Sequence, residues 1–274
     1  LKKCFMKHIP HIQLEKVPVD INNVQDIYEK TCFAIDKYGA SAMEMTGGSE
    51  LMMIAGHKAG AEKNITMYHT DIASGKIRDI EDPEFIMDTA TLTLEDFIDA
   101  KGAAFVGESH RDPDEKNYDA ILDMCSYIFR NLRAWSYTCG YIQAANASSE
   151  YGLQMTANIP FLHKDGRYYK PDRKMMEMFE RNGFIKNLCM TSNKISFTYC
   201  YPEARTYMTT YGLWLEMFVF ISAKRLNRFS DVKLGTMIDW DAYDNVYTAG
   251  NEIDVIIMEN SIPVFISCKL RSIS

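Results

Sequence analysis

A strand, a glycine pair, a helix and a second strand follow one another early in the chain, and this order constrains the fold more than any other feature. The segments Ala40–Thr46 and Asn64–Asp71 predict the two strands, and Ser49–Glu62 predicts the helix between them. A helix that joins two consecutive strands is typical of a βαβ unit with parallel strands. An earlier helix over Asn22–Tyr38 ends at Gly39. The sequence therefore predicts an α/β fold.

Length and composition are those of an ordinary globular chain. The 274 residues favour two domains over one, and 47% hydrophobic with 24% charged residues excludes a disordered or low-complexity chain. No apolar run approaches the roughly 18 residues of a membrane span, so no membrane association is expected. The seven cysteines are scattered without a C-x-x-C pair, which favours reduced thiols in a cytoplasmic protein over disulfides or a zinc site.

Charge is unevenly distributed along the chain. The net charge of −7 by itself argues against a nucleic-acid-binding protein. Residues 151–230 nevertheless hold 12 Lys and Arg against 6 Asp and Glu, interleaved with aromatic residues. A basic region beside aromatic rings suits a phosphate backbone, although an ordinary solvated surface would give the same count.

The remaining pattern predicts further elements. The acidic, proline-containing segment Glu81–Glu84 indicates an exit from the βαβ unit. A short helix over Pro171–Arg181, followed by alternation over Lys194–Cys200, resembles the helix and wing of a winged-helix module. The other predicted elements are a strand over Lys76–Ile80, helical structure over Asp114–Ala145 and Arg205–Leu226, and strands over Asp231–Asp239, Asn251–Met258 and Ile262–Leu270.

The last two predicted strands carry a polar face. Alternation places Glu252 and Asp254 on one face of the first strand. It places Ser267 and Lys269 on one face of the second. A two-residue turn at Asn260-Ser261, a weaker turn signal than Asn-Gly, would bring all four side chains to the same face of a hairpin.

A buried acid is predicted in the preceding helix. Glu216 is the only charge in the apolar run Leu213–Ile221, and burying an unpaired carboxylate is costly unless a metal ion, a lysine or hydrogen bonds offset it. Carboxylates that meet at a hairpin make an oxygen site for Mg²⁺ or Mn²⁺, and a nearby lysine can stabilise negative charge on phosphate. A buried Glu–Lys pair within the core is the alternative interpretation.

These residues resemble the PD-(D/E)xK nuclease core, whose helix supplies a glutamate as Glu216 would. Gly212–Glu216, Asn251–Asp254 and Phe265–Lys269 together resemble the nucleases with CARF domains that accompany type III CRISPR systems. In that family, cyclic oligoadenylate binds an N-terminal CARF domain and activates a C-terminal metal-dependent nuclease. The resemblance covers most of the chain, but residues 86–200 match only in their general helical and winged-helix character.

The resemblance implies roles for particular residues. The implied catalytic residues are Glu216, Asp254, Ser267 and Lys269. The implied metal ligands are Glu216, Asp254 and the backbone carbonyl of Cys268, with Glu252 as a further candidate. The family's acid two residues before the lysine falls at Ser267, which cannot supply a carboxylate. Either the site has shifted within the hairpin or activity is reduced, and the retained Glu216, Asp254 and Lys269 favour activity.

The glycine pair offers a second candidate site. Thr46 and Ser49 flank it with hydroxyls, the glycines allow close approach of a ligand, and the following helix N-terminus favours an anion. The spacing matches neither a P-loop nor a dinucleotide fingerprint, and such a pair alone is usually only a turn. Beside the nuclease-like hairpin it resembles the second ligand loop of CARF domains, which implies ligand contacts from Thr46, Gly47, Gly48 and Ser49.

The implied architecture has three parts. They are a partial, Rossmann-like CARF domain over 1–110, a helical and winged-helix-like region over 111–204, and a restriction-endonuclease-like α/β core over 205–274. Because both ends interrupt these patterns, we expect further native residues before Leu1 and after Ser274. The implied partners are cyclic oligoadenylate, with the tetra-adenylate expected, a DNA or RNA substrate, and a second copy in a homodimer.

Three functions follow from this interpretation. The leading one is a cytoplasmic, cyclic-oligoadenylate-activated, metal-dependent nuclease that hydrolyses phosphodiester bonds in type III CRISPR antiviral defence. The first alternative is a non-catalytic cyclic-oligoadenylate sensor with a winged-helix nucleic-acid-binding module and a degenerate nuclease core. The second is a ring nuclease that degrades the cyclic ligand in the CARF-like pocket.

Overall fold

The computed structural model describes residues 5–6, 9–108, 112–146, 152–162, 164, 166–242 and 250–270. Contacts within the chain divide it into two compact units. The first holds the described residues up to Ala104, with 240–242 and 258–264, and the second holds Phe105–Asp239, 250–257 and 265–270. The domain boundary predicted between residues 110 and 111 and both ends of the chain lie outside the described residues.

The first unit is built on the predicted βαβ segment. Its elements are α1 (Val24–Tyr38), β1 (Ala42–Glu44), α2 (Glu50–Lys63), β2 (Thr66–Asp71), β3 (Lys76–Asp79), β4 (Ile86–Asp88) and α3 (Leu94–Ala100). β1 and β2 pair in parallel with Met43 opposite Met67, and β3 and β4 continue the sheet antiparallel in the order β1-β2-β3-β4. The predicted α/β class is therefore confirmed.

Local sequence explains the two long helices of this unit. The Asn23 side chain accepts hydrogen bonds from backbone N–H groups of the first turn of α1, and Gly39 ends that helix in the left-handed conformation. Small residues line the buried face of α2. A methyl group at Gly60 would overlap the Met67 side chain, so glycine at this position lets α2 lie directly on β2.

The second unit contains several smaller sheets among its helices. Its elements are β5 (Ala104–Glu108), a 3-10 turn (Glu115–Asn117), α4 (Tyr118–Arg130), α5 (Leu132–Asn146), β6 (Gln154–Asn158), β7 (Phe161–Leu162), β8 (Tyr168–Tyr169), α6 (Arg173–Arg181), β9 (Ile185–Met190), β10 (Lys194–Tyr199), α7 (Pro202–Thr209), α8 (Leu213–Leu226), β11 (Asp231–Asp239), β12 (Asn251–Glu259) and β13 (Ile262–Ile266). The strand orders are β6-β10-β9, β13-β12-β11-β5 and β7-β8. The predicted short helix and following strand are present as α6 and β10, with β9 and β10 antiparallel.

An aromatic cluster forms the centre of the second unit. Trp214 of α8 packs edge-on against Trp135 of α5, with ring centroids 6.1 Å apart, and edge-on against Phe184 at 5.4 Å. All three side chains are fully buried, and such rings dominate the energetics of a core. Trp135 Nε1 also donates a hydrogen bond to the backbone carbonyl of Tyr211, 3.0 Å away. The cluster therefore fixes the first turn of α8, which carries Glu216.

The helical structure predicted over Arg205–Leu226 is present, but it forms two helices, α7 and α8, and not one continuous helix. Thr210 adopts an extended backbone conformation and separates α7 from α8. The β-branched Thr209-Thr210 pair and Gly212 are weak helix formers. The Tyr211 carbonyl is instead used as the acceptor for Trp135. A long-range hydrogen bond thus interrupts what the apolar pattern predicts to be continuous.

Two predicted segments near strands also need correction. The exit predicted at Glu81–Glu84 is wrong, because the Asp79 carboxylate accepts hydrogen bonds from the Glu81 and Asp82 N–H groups and β4 then returns to pair with β3. The strand predicted over Ile262–Leu270 ends at Ile266. Within the part of the chain described above, no helix combines the length and apolar character needed to cross a bilayer.

Candidate functional site

The last hairpin places Asp254 beside the residues that follow β13. Only Asn260 and Ser261 separate β12 from β13, so they form the predicted two-residue turn. Both have positive φ, +49° and +63°, as the primed hairpin turns require. Ser267 Oγ donates a hydrogen bond to Asp254 Oδ2 over 3.2 Å, so the two side chains that the turn is predicted to bring together are in contact.

Three consecutive residues converge on one carboxylate oxygen of Asp254. In addition to the Ser267 hydroxyl, the Cys268 backbone N–H donates to Oδ2 at 2.5 Å, and Lys269 Nζ lies 3.6 Å from it. The Cys268 N–H thereby leaves the strand ladder, which explains why β13 ends at Ile266. The Asp254 side chain is only 17% exposed, whereas that of Lys269 is 69% exposed. Lys269 therefore presents its charge to solvent at the edge of the site.

Glu216 reaches the same group of charges from the first turn of α8. A helix N-terminus ordinarily favours the ionised form of a carboxyl. Burial, followed by the negative charges of Asp254 and Glu252, nevertheless raises the pKa of Glu216 to about 7, while Lys269 acts in the opposite direction. The structure therefore brings the predicted helix glutamate within electrostatic reach of the predicted hairpin acids and lysine.

The side chain of Cys268 is not suited to bind a metal ion near neutral pH. Burial, together with the negative charges of Asp254 and Glu216, raises the pKa of this thiol to about 11. The thiolate is the form of cysteine that ligates metals, so it is scarce under these conditions. The backbone carbonyl of Cys268, not its thiol, is the donor that the family resemblance implies.

The donor chemistry of the site fits a hard divalent cation. Carboxylate oxygens are the ligands that Mg²⁺ and Mn²⁺ prefer, and a cation would offset the negative charges of Asp254 and Glu252, which add to burial in raising the pKa of Glu216. Across the described ranges, no three His, Cys, Asp or Glu side chains are already gathered in an arrangement that would hold an ion. A complete site would therefore combine Glu216 and Asp254 with the Cys268 carbonyl and water molecules.

The glycine loop connects β1 to α2 at the carboxyl end of a parallel strand. Gly47 and Gly48 are exposed, and Gly48 has φ +128°, a conformation that glycine adopts readily. The Ser49 hydroxyl accepts a hydrogen bond from the Met52 N–H at 3.3 Å and so caps α2. The Thr46 hydroxyl accepts one from the Thr70 N–H at 2.6 Å. Both predicted hydroxyl contacts are therefore engaged within the protein.

The residue that sequence reasoning missed in this loop is Glu44. Its carboxylate accepts hydrogen bonds from the hydroxyls of Thr46 and Thr70 and from the Thr46 backbone N–H. Burial alone would raise the pKa of Glu44, but hydrogen bonds from Thr46 and Thr70 outweigh it and hold this pKa below its usual value. The spacing Glu44-x-Thr46 at the end of a strand is the signal that could have revealed this pair. Gly47 and Gly48 remain as the open backbone of the loop.

Comparisons with known proteins identify a shared fold. No protein-family model and no curated protein sequence matches the chain. Can2 from Sulfobacillus thermosulfidooxidans, solved in complex with cyclic tetra-adenylate, aligns with 100% of this chain and 70% of its own length, with a TM-score of 0.65 and 14% identity. The protein VC1899 from Vibrio cholerae aligns with 94% of this chain and 66% of its own length, with a TM-score of 0.69 and 13% identity. The chain thus has the fold of about two thirds of each of these proteins.

Proposed function

We propose that this chain is part of a cyclic-oligoadenylate-activated, metal-dependent nuclease of type III CRISPR antiviral defence. The observation that carries the proposal is that Glu216 lies within electrostatic reach of Asp254, while Lys269 lies 3.6 Å from the Asp254 carboxylate. An acid on a helix, an acid on a strand and a lysine beyond the next strand resemble the PD-(D/E)xK core, apart from the acid that Ser267 replaces. The likeness to Can2, which is solved with cyclic tetra-adenylate, supports the activator.

Each residue of the hairpin has a proposed role in phosphodiester hydrolysis. A bound Mg²⁺ or Mn²⁺ would supply an activated water and offset negative charge on the phosphate. Glu216 and Asp254 would hold that ion, and the raised pKa of Glu216 means that binding releases a proton near neutral pH. Lys269 would stabilise the extra charge of the transition state or orient the attacking water. The Ser267 hydroxyl would hold a water molecule in place of the acid that the family usually has there.

The first unit would bind the activator. Gly47 and Gly48 give a ligand access to the backbone at the N-terminus of α2, where a phosphate is favoured. The Glu44–Thr46–Thr70 hydrogen bonds fix the loop that carries them. Because a cyclic oligoadenylate of even length has two-fold symmetry, it suits a homodimer in which two copies of the loop contribute.

Cleavage assays with the whole protein test the nuclease directly. Plasmid DNA and single-stranded RNA are each incubated with and without cyclic tetra-adenylate and Mn²⁺, and cleavage is expected only when both are present. Asp254→Asn should abolish cleavage. Asp123→Asn, which changes an exposed acid of α4, should leave it unchanged. Equal cleavage by the wild type and Asp254→Asn would refute the assignment.

The non-catalytic sensor remains the second candidate function. Ser267 stands where the family has an acid, and Asp254 Oδ2 already receives two hydrogen bonds and an ion pair. Calorimetric titration with Mn²⁺ separates the two functions. The nuclease requires saturable binding that Glu216→Gln and Asp254→Asn abolish, whereas a degenerate core would show no saturable binding even in the wild type.

A ring nuclease is distinguished by its product. Such a protein would convert cyclic tetra-adenylate to a linear product in the first unit, so Asp254→Asn would still degrade the ligand. The proposed nuclease should leave the amount of cyclic ligand unchanged in chromatography.

A further inference from the structure

The second unit contains a positively charged groove whose lining residues are not part of the proposed active site. It is a cavity of about 1050 Å³ bordered by the start of α5, strand β8, the start of α6 and the β9–β10 turn. The positively charged residues that line it are Arg130, Arg133, Lys170 and Arg173. Asp172 is the single acid in this lining. We call this surface the basic groove.

Most of the positive charge in the basic groove is uncommitted. The side chains of Arg130, Arg133 and Lys170 are exposed and have no ion-pair or hydrogen-bond partner among the described residues. Arg173 donates one hydrogen bond to the Met190 carbonyl at 2.8 Å and is otherwise exposed. Asp172 caps the N-terminus of α6, and its one negative charge is outnumbered by the four positive charges in the lining. The groove therefore attracts anions.

Two tyrosine rings border the same groove. Tyr168 is 66% exposed and Tyr137 is 45% exposed, so both rings are accessible to a ligand. Their neighbour Tyr169 is held in place, since its ring packs 5.8 Å from that of Tyr137 and a methyl group at Gly140 would lie 2.8 Å from it. Exposed rings interleaved with uncommitted cations form the arrangement on which unpaired bases stack while their phosphates are neutralised.

We infer that the basic groove binds single-stranded nucleic acid, with Arg130, Arg133 and Lys170 at phosphates and Tyr168 at a base. A single strand is favoured over a duplex because paired bases stack on each other and their faces cannot reach a tyrosine ring. The inference deepens the proposed function, and it rests on that function only in taking the bound strand to be the substrate.

Helix α5 connects the basic groove to the candidate catalytic helix. Arg133 and Tyr137, one helical turn apart, are exposed on the outer side of α5. Trp135 on its inner side contacts Trp214, which lies two residues before Glu216. The groove and the first turn of α8 are thus packed on one aromatic core.

Fluorescence anisotropy with the whole protein tests the charged part of the basic groove. Single-stranded DNA and RNA of about 15 nucleotides are titrated in EDTA, so that cleavage cannot occur. The double variant Arg130→Gln/Arg133→Gln should weaken binding at least about tenfold and reduce the slope of log K against log salt by about 1.4, since each phosphate contact on a single strand contributes about 0.7. The control Lys174→Gln/Arg181→Gln makes the same charge change on exposed residues of α6 outside the groove and should bind like the wild type.

Two variants of Tyr168 test stacking separately from charge. Tyr168→Ala should weaken binding about tenfold, whereas Tyr168→Phe should retain it, because the phenyl ring still stacks. The side chain is two-thirds exposed, so neither variant should change the melting temperature.

Several outcomes would overturn the inference. Unchanged binding by the Arg130/Arg133 variant would do so, as would an equal loss in the α6 control, which would place the nucleic acid on α6 in the manner of a winged helix. A duplex that competes as well as a single strand would also contradict it. Failure of the nuclease proposal gives a different result, because a protein without cleavage in Mn²⁺ could still bind the strand through the groove in EDTA.

Discussion

The two candidate sites differ in whether their surroundings stabilise the ionised form of a carboxylate. In the loop after β1, Glu44, Thr46 and Thr70 satisfy one another, and the pKa of Glu44 is held below its usual value. At the last hairpin, burial and then the negative charges of Asp254 and Glu252 raise the pKa of Glu216 to about 7. A network in which every polar group has a hydrogen-bond partner stabilises the fold. A cluster of like charges does not, and such clusters are typical of sites that bind a ligand or catalyse a reaction. Chemistry is therefore expected at the hairpin, while the loop supplies shape and open backbone.

After Asp254→Asn, the largest effect is expected from Lys269→Met. Lys269→Met removes the cation that opposes the negative charges around Glu216 and keeps an unbranched side chain of similar length. The initial rate of cleavage should fall about 100-fold, and the rising limb of its pH profile should move to higher pH. Lys194→Met, which changes an exposed lysine of β10, is the control. A cleavage rate for Lys269→Met within twofold of the control would exclude a role for Lys269 in catalysis.

A side chain at Gly47 should separate ligand binding from stability. A Cβ there would meet nothing within 4 Å and the backbone φ is not positive, so Gly47→Leu should not change the melting temperature. If this backbone contacts cyclic tetra-adenylate, the affinity measured by calorimetry should fall about tenfold, or about 1.4 kcal/mol. Gly107→Leu is the matched control, because this exposed glycine of β5 is equally open. Normal affinity in the Gly47 variant would exclude the loop from the ligand site.

The hydroxyls of Thr46 and Ser49 are expected to stabilise the fold of the loop. Thr46→Val removes the acceptor of the Thr70 N–H and a donor to Glu44, so the free energy of unfolding of the first unit should fall by about 1–3 kcal/mol. Ser49→Ala removes only a helix cap and should cost about 1 kcal/mol. Urea denaturation measures both. A Thr46→Val protein as stable as the wild type would show that the loop network is not what fixes this strand end.

The smallest effect is a pH-dependent one on stability. The pKa of Glu216 in the fold, about 7, lies above its ordinary value of 4.5, so the fold favours the protonated carboxyl. Its contribution to stability is present at low pH and is lost as the pH rises through 7. Glu216→Gln should therefore melt about 2 °C above the wild type at pH 8 and show no such difference at pH 4.5.

Two comparisons sharpen the Glu216 experiment. Glu177→Gln changes an exposed acid of α6 and should show no difference in melting temperature from the wild type at either pH. If the site holds a metal ion, Mn²⁺ should reduce the pH 8 difference, because it would bind the ionised wild type and stabilise it. A wild type more stable than Glu216→Gln at pH 8 without metal would mean that the charge around Glu216 is balanced after all.

Local signals predicted the fold where local interactions determine it. Helix α1 lies within two residues of its predicted start and ends at the predicted Gly39, because a capping side chain and a left-handed glycine act over a few residues. The Asn260-Ser261 turn was predictable for the same reason. The interruption at Thr210 was not, because it depends on the Tyr211 carbonyl accepting from Trp135, 76 positions away in the sequence.

The same distinction between local and long-range interactions separates the site features that were predictable from those that were not. Alternation and a lone charge in an apolar helix are readable patterns, so Glu216, Asp254 and Lys269 were predictable. The bond from the Cys268 N–H to Asp254 was not, since a continued strand would pair that N–H elsewhere. The basic groove draws Arg133 and Tyr168 from elements far apart in sequence, so only the fold could assemble it.

Gly140 has a consequence for the whole groove. By lacking a side chain it leaves room for the Tyr169 ring against α5. Successive residues of a strand point to opposite sides, so seating Tyr169 inward directs Tyr168 outward. The smallest amino acid in the helix thereby determines where an aromatic ring on another element points. A single added methyl group at Gly140 would displace Tyr169 and with it Tyr168, the ring proposed to stack on a base, without altering any charge.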